Sequence, residues 1–455
     1  MNQVYQSQRQ HFKNQRTPHI SERLVLLQKL KKSIKNNEAA IIKAIYNDFK
    51  KPEFESLTTE LLVVYKELNL FIKNLKKWQK PKKVSSDLIN FPSSDYIYNV
   101  PWGHVLVISP WNYPFQLAIT PIIGAIATGN TVVLKPSEYA PQTAQILEHI
   151  LSEIFKAEHC QVIQGDAETA DHLLDLKWDF VFFTGSVSVG KIISQKIAKH
   201  LTPHCLELGG KNPCIIDSTA DLKLTAKRIA WGKFINAGQT CIAPDYLLVH
   251  HSVCKELAQH IKSSIQKFYG DQISLFDDYA RIISPKHYKR LKKLMENHSL
   301  YSGGDFDDKE LYIAPTLILN PDLKSDLMQE EIFGPLLPII SYETNDEIAE
   351  IVNSFDKPLA LYVFSKDRGF QKEMTQNFDF GGGVINDTIV HFVNDKLPFG
   401  GVGNSGIGNY HGQFSFATFT RQKAIVHRKT YFDIPLKYPP YQSTGLFKKL
   451  LKFFR

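Results

Sequence analysis

The spacing of apolar residues changes character along this chain, and that change divides it. Over residues 1–80 they recur at helical intervals. Leu24, Leu27, Leu30 and Ile34 fall on one stripe after a Thr17-Pro18 start, so this region is expected to be helical. From Pro81 to Pro101 the texture becomes Pro- and Ser-rich around a strand-like Tyr96-Ile97-Tyr98, an excursion away from the core. Continuous apolar strands then alternate with helices. Strands are expected at Val105–Ile108, Thr131–Leu134, Cys160–Ile163 and Phe180–Phe183, with helices over Leu117–Ala127, near Thr143–Phe155 and from about Val189. The pattern restarts after Gly209, with strands at Pro213–Ile216 and Leu247–His250. Uninterrupted apolar strands between helices imply parallel sheets covered on both faces. The fold class is therefore α/β, with two doubly wound parallel-sheet domains.

Composition narrows the function. The 455 residues are 43% hydrophobic and 22% charged, as in an ordinary globular protein. Five cysteines, an odd number without a CxxC pair, point to a reducing, cytoplasmic setting. Sixteen histidines include no HExxH, so no metal site is expected. The net charge of +8 comes largely from Lys-rich helical faces without a basic–aromatic platform, so no nucleic acid is expected. The first residues lack the apolar segment of a secretory leader, and no apolar run approaches the roughly 20 residues that span a bilayer.

The chemistry concentrates at loops. Gly238-Gln239-Thr240-Cys241 sets a thiol after a Gly-containing turn. A thiol acts as a nucleophile only as thiolate, so it needs a base or a lowered pKa. Glu207, between Leu206 and Leu208 and before Gly209-Gly210, is the candidate base, because an apolar setting raises a carboxyl pKa toward neutrality. Its alternative is a solvated strand position, as burial in packing is the alternative for Cys241.

In open α/β sheets, ligands gather at the carboxyl ends of strands. After the first strand, Pro110–Pro114 holds Asn112, either a donor to an oxyanion or the centre of an Asx-turn. After the second, Lys135-Pro136-Ser137-Glu138 reads as a ribose-binding pair, Lys135 and Glu138, or as a helix start with Pro at its first position. After the fourth, Gly185-Ser186-Val187-Ser188-Val189-Gly190 resembles a dinucleotide turn without being GxGxxG, and a helix N-terminus there can face a pyrophosphate.

In order, Pro110–Pro114, Lys135–Glu138, Phe183–Gly190, Glu207–Pro213, Phe234–Pro244, Glu330–Pro335 and Leu397–Gly408 resemble the aldehyde dehydrogenase superfamily across nearly the whole chain. The Gly238–Tyr246 and Pro398–Gly406 segments look like its class 3 branch of fatty and aromatic aldehyde dehydrogenases. The resemblance implies Cys241 as nucleophile, Glu207 as base, and Asn112 with the Cys241 N–H as oxyanion hole. It implies Lys135 and Glu138 at the adenine ribose, Gly185 and Ser186 near the pyrophosphate, and Glu331 and Phe333 at the nicotinamide ribose and ring. Without it, Glu331 and Phe333 read as an acidic loop with a core aromatic. NAD is the expected cofactor, since Glu138 repels a 2′-phosphate, with NADP as the alternative. Asn386, after Gly381-Gly382-Gly383, is expected to be a structural support, with the catalytic loop as the candidate for what it supports. Tyr113 and Trp231 are candidates for lining an apolar substrate tunnel, or for the core.

The same resemblance implies a nucleotide-binding domain (1–81 and 101–208), a catalytic domain (209–410) and a bridging hairpin (82–100 and 411–430). That hairpin includes a late strand near Ala417–His427 and joins a homodimer. A tail (431–455) ends in Leu446–Arg455, whose apolar residues share one arc and whose four cations share the other. Such a helix suits weak peripheral contact with an anionic membrane, or docking on protein. The expected activity is NAD(P)-dependent oxidation of medium- or long-chain or aromatic aldehydes to acids through a thioester. The alternatives are acyl transfer to CoA and a catalytically silent nucleotide-binding relative.

Overall fold

The computed structural model describes residues 1–15, 19–87, 90–433, 438–441 and 444–454. They form two compact units. One comprises residues 1–78 and 101–421, the other 79–100 and 422–455.

The larger unit opens on helices, including Asn2–Gln15, Ile20–Asn36, Glu38–Phe49 and Leu62–Trp78. Leu27, Leu30 and Ile34 are fully buried, as their spacing requires. The Thr17-Pro18 start lies outside the described residues, and His19 caps the helix that follows. A single π-helical turn, Leu57–Leu61, interrupts the helical run and turns Glu60 into the core.

Two sheets follow. In the first, the strands run in the order Gly406–Ile407, His204–Glu207, Phe180–Thr184, His104–Ile108, Thr131–Lys135, Cys160–Val162. All are parallel except the short antiparallel edge strand Gly406–Ile407. The chain steps outward from His104–Ile108 to one side, then returns to its other side at Phe180–Thr184. That reversal opens a crevice at the carboxyl edge. The register fixes which residues border it, pairing Ile108 with Lys135 and with Phe183, and Thr184 with Glu207.

The second sheet has seven strands in the order Leu300–Ser302, Thr316–Leu319, Leu336–Tyr342, Tyr246–His250, Pro213–Ile216, Ala360–Phe364, Gly382–Ile385. It is parallel apart from Leu300–Ser302. The expected α/β class, with two parallel sheets, is what the chain adopts. Its central strands are buried along their length, which is why they read as unbroken apolar runs.

Some boundaries differ from the sequence reading. Lys135-Pro136-Ser137-Glu138 does not start a helix; the helix begins at Pro141, which takes the first helical position in its place. The helix after Gly185 begins at Val187, because Ser186 already caps it.

In the smaller unit, Lys82–Val84 pairs antiparallel with Ser93–Pro101, and Thr420–Arg428 completes a three-stranded sheet. The late strand starts at Thr420 rather than Ala417 because Gln413–Thr418 is a short helix. The tail forms the helix Thr444–Phe454, on which Lys448, Lys449, Leu451 and Lys452 are exposed. Arg455, the fourth cation of the expected basic face, lies outside the described residues.

Candidate active site

Cys241 leaves the helix Leu222–Phe234 through a strained loop. Asn236 and Ala237 adopt left-handed backbone conformations, and Gly238 has φ +75. A Cβ on Gly238 would lie 2.3 Å from the Gly334 carbonyl oxygen, so both the conformation and the close approach require glycine. The loop is held by amides. Asn236 Nδ2 donates to the carbonyls of Asn112 (2.9 Å) and Gln239 (3.1 Å). The Gln239 side chain bridges to Arg281 O (2.9 Å) and Ile283 N (3.0 Å). Beyond the sulfur, Asn212 Nδ2 donates to Cys241 O (2.7 Å) and Ala243 O (3.0 Å), while its Oδ1 accepts from Ala360 N (2.9 Å).

This scaffold leaves Cys241 half-buried on the wall of a cavity of about 590 Å³. Glu207, Tyr113 and Trp231 line the same cavity, with Phe54, Phe399, Tyr410 and Val393 among the others. Cys241 is therefore not sealed in packing. Trp231 is 42% exposed, so it is a wall residue and not core. Tyr113 is both: it lines the cavity, and its hydroxyl meets Thr240 Oγ1 at 2.6 Å.

Burial raises the Cys241 thiol to about 12, and the nearby Glu331 and Glu207 carboxylates add to the shift. The backbone N–H groups of Cys241 and Ile242 work the other way, favouring the thiolate. Glu207 ends its strand buried, not solvated, and burial pushes its carboxyl well above the ordinary value. Its Oε1 accepts from Cys205 Sγ at 3.5 Å, and its Oε2 is buried with no partner.

Asn112 is buried, and its Nδ2 donates across to Gln239 O at 3.1 Å. No Asx-turn is seen: the amide reaches the sulfur loop rather than its own backbone.

Lys135 and Glu138 pair with each other at 2.7 Å just past the sheet edge. Gly185 N donates to Glu207 O (3.0 Å), and Ser186 caps a helix with no acidic residue in its first turn. Glu331 rests against Gly209, where a Cβ would come within 2.2 Å of its carboxylate. Burial, with Asp245 adding to it, raises Glu331 to about 8. Phe333 has φ +47 and stands edge-on to Trp111, 5.2 Å between centroids. It is a half-buried loop residue and not a core aromatic. Asn386 does not reach the catalytic loop. Its Oδ1 accepts from Ser365 N at 2.9 Å, so it braces a neighbouring strand end.

Sequence reasoning missed several contributors. Asn212 lies inside the Glu207–Pro213 motif, but its three bonds join segments distant in sequence. Tyr362 donates to Ile242 O at 2.5 Å. Thr184, level with Glu207, lines the cavity with a buried, partnerless hydroxyl.

Among the described residues no helix is long and apolar enough to cross a membrane, and no cluster of potential metal ligands occurs.

Comparison with known proteins gives these arrangements their context. The family profile described as "Aldehyde dehydrogenase family" matches residues 1–425. The chain is 45% identical to the 4,4'-diaponeurosporen-aldehyde dehydrogenase of Staphylococcus aureus over 98% of this chain and 97% of that one. It is 42% identical to aldehyde dehydrogenase family 3 member A2 of Macaca fascicularis, over 97% and 91%. Among solved structures, the substrate-bound state of Staphylococcus aureus AldH matches with TM-score 0.97 and 44% identity, over 100% of this chain and 99% of the other. Two more distant matches carry dinucleotides. A glyceraldehyde-3-phosphate dehydrogenase from Methanocaldococcus jannaschii is complexed with NADP (TM-score 0.84, 27% identity, 94% of each chain). A Mycobacterium tuberculosis aldehyde dehydrogenase is complexed with NAD+ (TM-score 0.85, 27% identity, 95% and 90%).

Proposed function

The chain belongs to the aldehyde dehydrogenase family and oxidises aldehydes, and from that premise we propose that it converts apolar aldehydes, medium- or long-chain or aromatic, to carboxylic acids with NAD or NADP. The observation that carries this reading is a half-buried thiol on an apolar cavity that a buried carboxylate also lines.

Cys241 is the nucleophile. Its thiol gives up its proton to Glu207, which passes it to solvent; the thiolate adds to the aldehyde carbon, and the oxygen, now negative, is held by the Cys241 N–H and the Asn112 amide. When bound, the dinucleotide accepts the hydride. The fit for it rests on the partnerless Thr184 hydroxyl and the open helix start at Ser186 beside the strand ends. Lys135 and Glu138 would hold its adenine ribose, Gly185 and Ser186 would face its pyrophosphate, and Glu331 and Phe333 would fix its nicotinamide end. Loss of hydride leaves an acyl thioester on Cys241. Glu207 takes a proton from water, the hydroxyl adds to the thioester carbon, and the acid leaves as the thiol is restored. Tyr113 and Trp231 supply apolar wall to the substrate.

The test is Cys241→Ser. It abolishes NADH formation from an aldehyde panel while dinucleotide binding persists. Continued oxidation by that variant removes Cys241 from the reaction.

The enzyme is proposed to work as a homodimer in the cytoplasm, joined through the hairpin of residues 82–100 and 411–430. All five cysteines are free, as a reducing compartment requires. The exposed lysines of the helix Thr444–Phe454 support weak contact with an anionic membrane surface.

A further inference from the structure

Lys51 and Glu60 form an ion pair at 2.8 Å whose side chains are both 0% exposed. Burying two charges costs desolvation that their attraction often fails to recover, so stability alone is a poor reason for such a pair. Its placement offers a better one. Lys51 Nζ lies 3.9 Å from the centroid of the Tyr113 ring. Glu60 spends only one oxygen on Lys51. The other accepts from Phe115 N (2.9 Å) and Gln116 N (3.1 Å), where the helix Gln116–Thr128 begins. The pair therefore grips the turn Pro110–Phe115 twice, by one aromatic face and by the backbone that follows it.

That turn is the one that meets the sulfur loop. Asn112 donates to Gln239 O, Asn236 donates to Asn112 O, and Tyr113 meets Thr240. A second carboxylate from the same N-terminal region, Glu55, accepts from Asn236 N at 2.9 Å. The π-helical turn Leu57–Leu61 is the local departure that aims Glu60 inward.

We propose that Lys51 and Glu60 are positioning residues for aldehyde oxidation. They set the Asn112–Tyr113 turn against the Cys241 loop without touching substrate. The proposal rests on the assignment of Cys241 as nucleophile.

The test compares the charge-neutral double variant Lys51→Met with Glu60→Gln, and Lys51→Arg, with wild type. Glutamine keeps an acceptor for Phe115 and Gln116. Folding is followed by thermal melting, dinucleotide affinity by fluorescence titration, and kcat and KM separately with an apolar aldehyde. A displaced turn is expected to lower kcat by roughly 10²-fold with dinucleotide affinity unchanged. Lys51→Arg, which keeps the cation over the ring and the pair with Glu60, recovers most of it. If the double variant does not fold, Glu60→Asp, which keeps both charges but shortens the reach, is read in the same way. A folded double variant, or Glu60→Asp in its place, whose kcat stays within about twofold of wild type overturns the proposal. An inert wild-type enzyme, or an active Cys241→Ser, would instead point to failure of the nucleophile assignment.

Discussion

Cys205 and Glu207 stand two residues apart on one strand, so their side chains share a face, and the thiol donates to the carboxylate at 3.5 Å. This contact and the partnerless second oxygen define the resting state of the proposed base.

A donor favours the charged carboxylate, so Cys205 holds the Glu207 pKa below the value that burial alone would set. Thioester hydrolysis needs the deprotonated form and rises with pH through that pKa. Cys205→Val is expected to move the rise to higher pH, and Cys205→Ser, a stronger donor, to move it to lower pH. The pH profile of the hydrolytic step measures this. Midpoints unmoved in both variants would separate Cys205 from the base.

With its thiol near 12, cofactor-free Cys241 is almost wholly protonated at neutral pH. Alkylation by iodoacetamide, followed on the Cys241 peptide by mass spectrometry, is expected to climb roughly tenfold per pH unit. A plateau reached below the ordinary thiol value of 9.0 would contradict the burial argument.

Glu67 is buried and accepts from Gly412 N through both oxygens at 3.1 Å. Burial raises its pKa from 4.5 to about 7. The folded state therefore binds this proton more tightly than the unfolded chain does. Stability from this group is complete below about pH 4.5 and is lost as pH rises toward about 7. The loss amounts to about 3 kcal/mol at most. Glu67→Gln keeps an acceptor without the charge. Urea unfolding at several pH values should show a weaker pH dependence and a more stable variant at the alkaline end. Parallel curves would place the dependence elsewhere, with Glu55 and Glu331, also raised by burial, the next to examine.

Deleting residues 445–455 is expected to reduce co-flotation with anionic vesicles and leave aldehyde turnover intact, as a weak single anchor would. Equal flotation of both forms would end the membrane proposal.

Much of the fold could be read from local pattern. The buried parallel strands are continuous apolar runs, and the Gly238–Cys241 loop announces itself through a glycine that only its backbone needs. What stayed hidden depends on partners far apart in sequence. Nothing in the sequence around Lys51 marks it as core, and only the approach of Glu60 and Tyr113 makes it so. Asn386 could be read only as a structural support: its glycine-rich setting is visible, but its partner Ser365 is not. Lys135-Pro136 was ambiguous because a proline opening a helix and one ending a strand look alike until Pro141 takes the first role.

The bonds of Asn212 carry one more consequence. A single amide clamps the carbonyls after the sulfur to the strand Ala360–Phe364, so the height of the nucleophile is referenced to the sheet. Residues such as Phe54, Trp231 and Val393 hang on other segments of the cavity wall. Changes in those wall segments can therefore alter the shape of the cavity while the proposed nucleophile keeps its station.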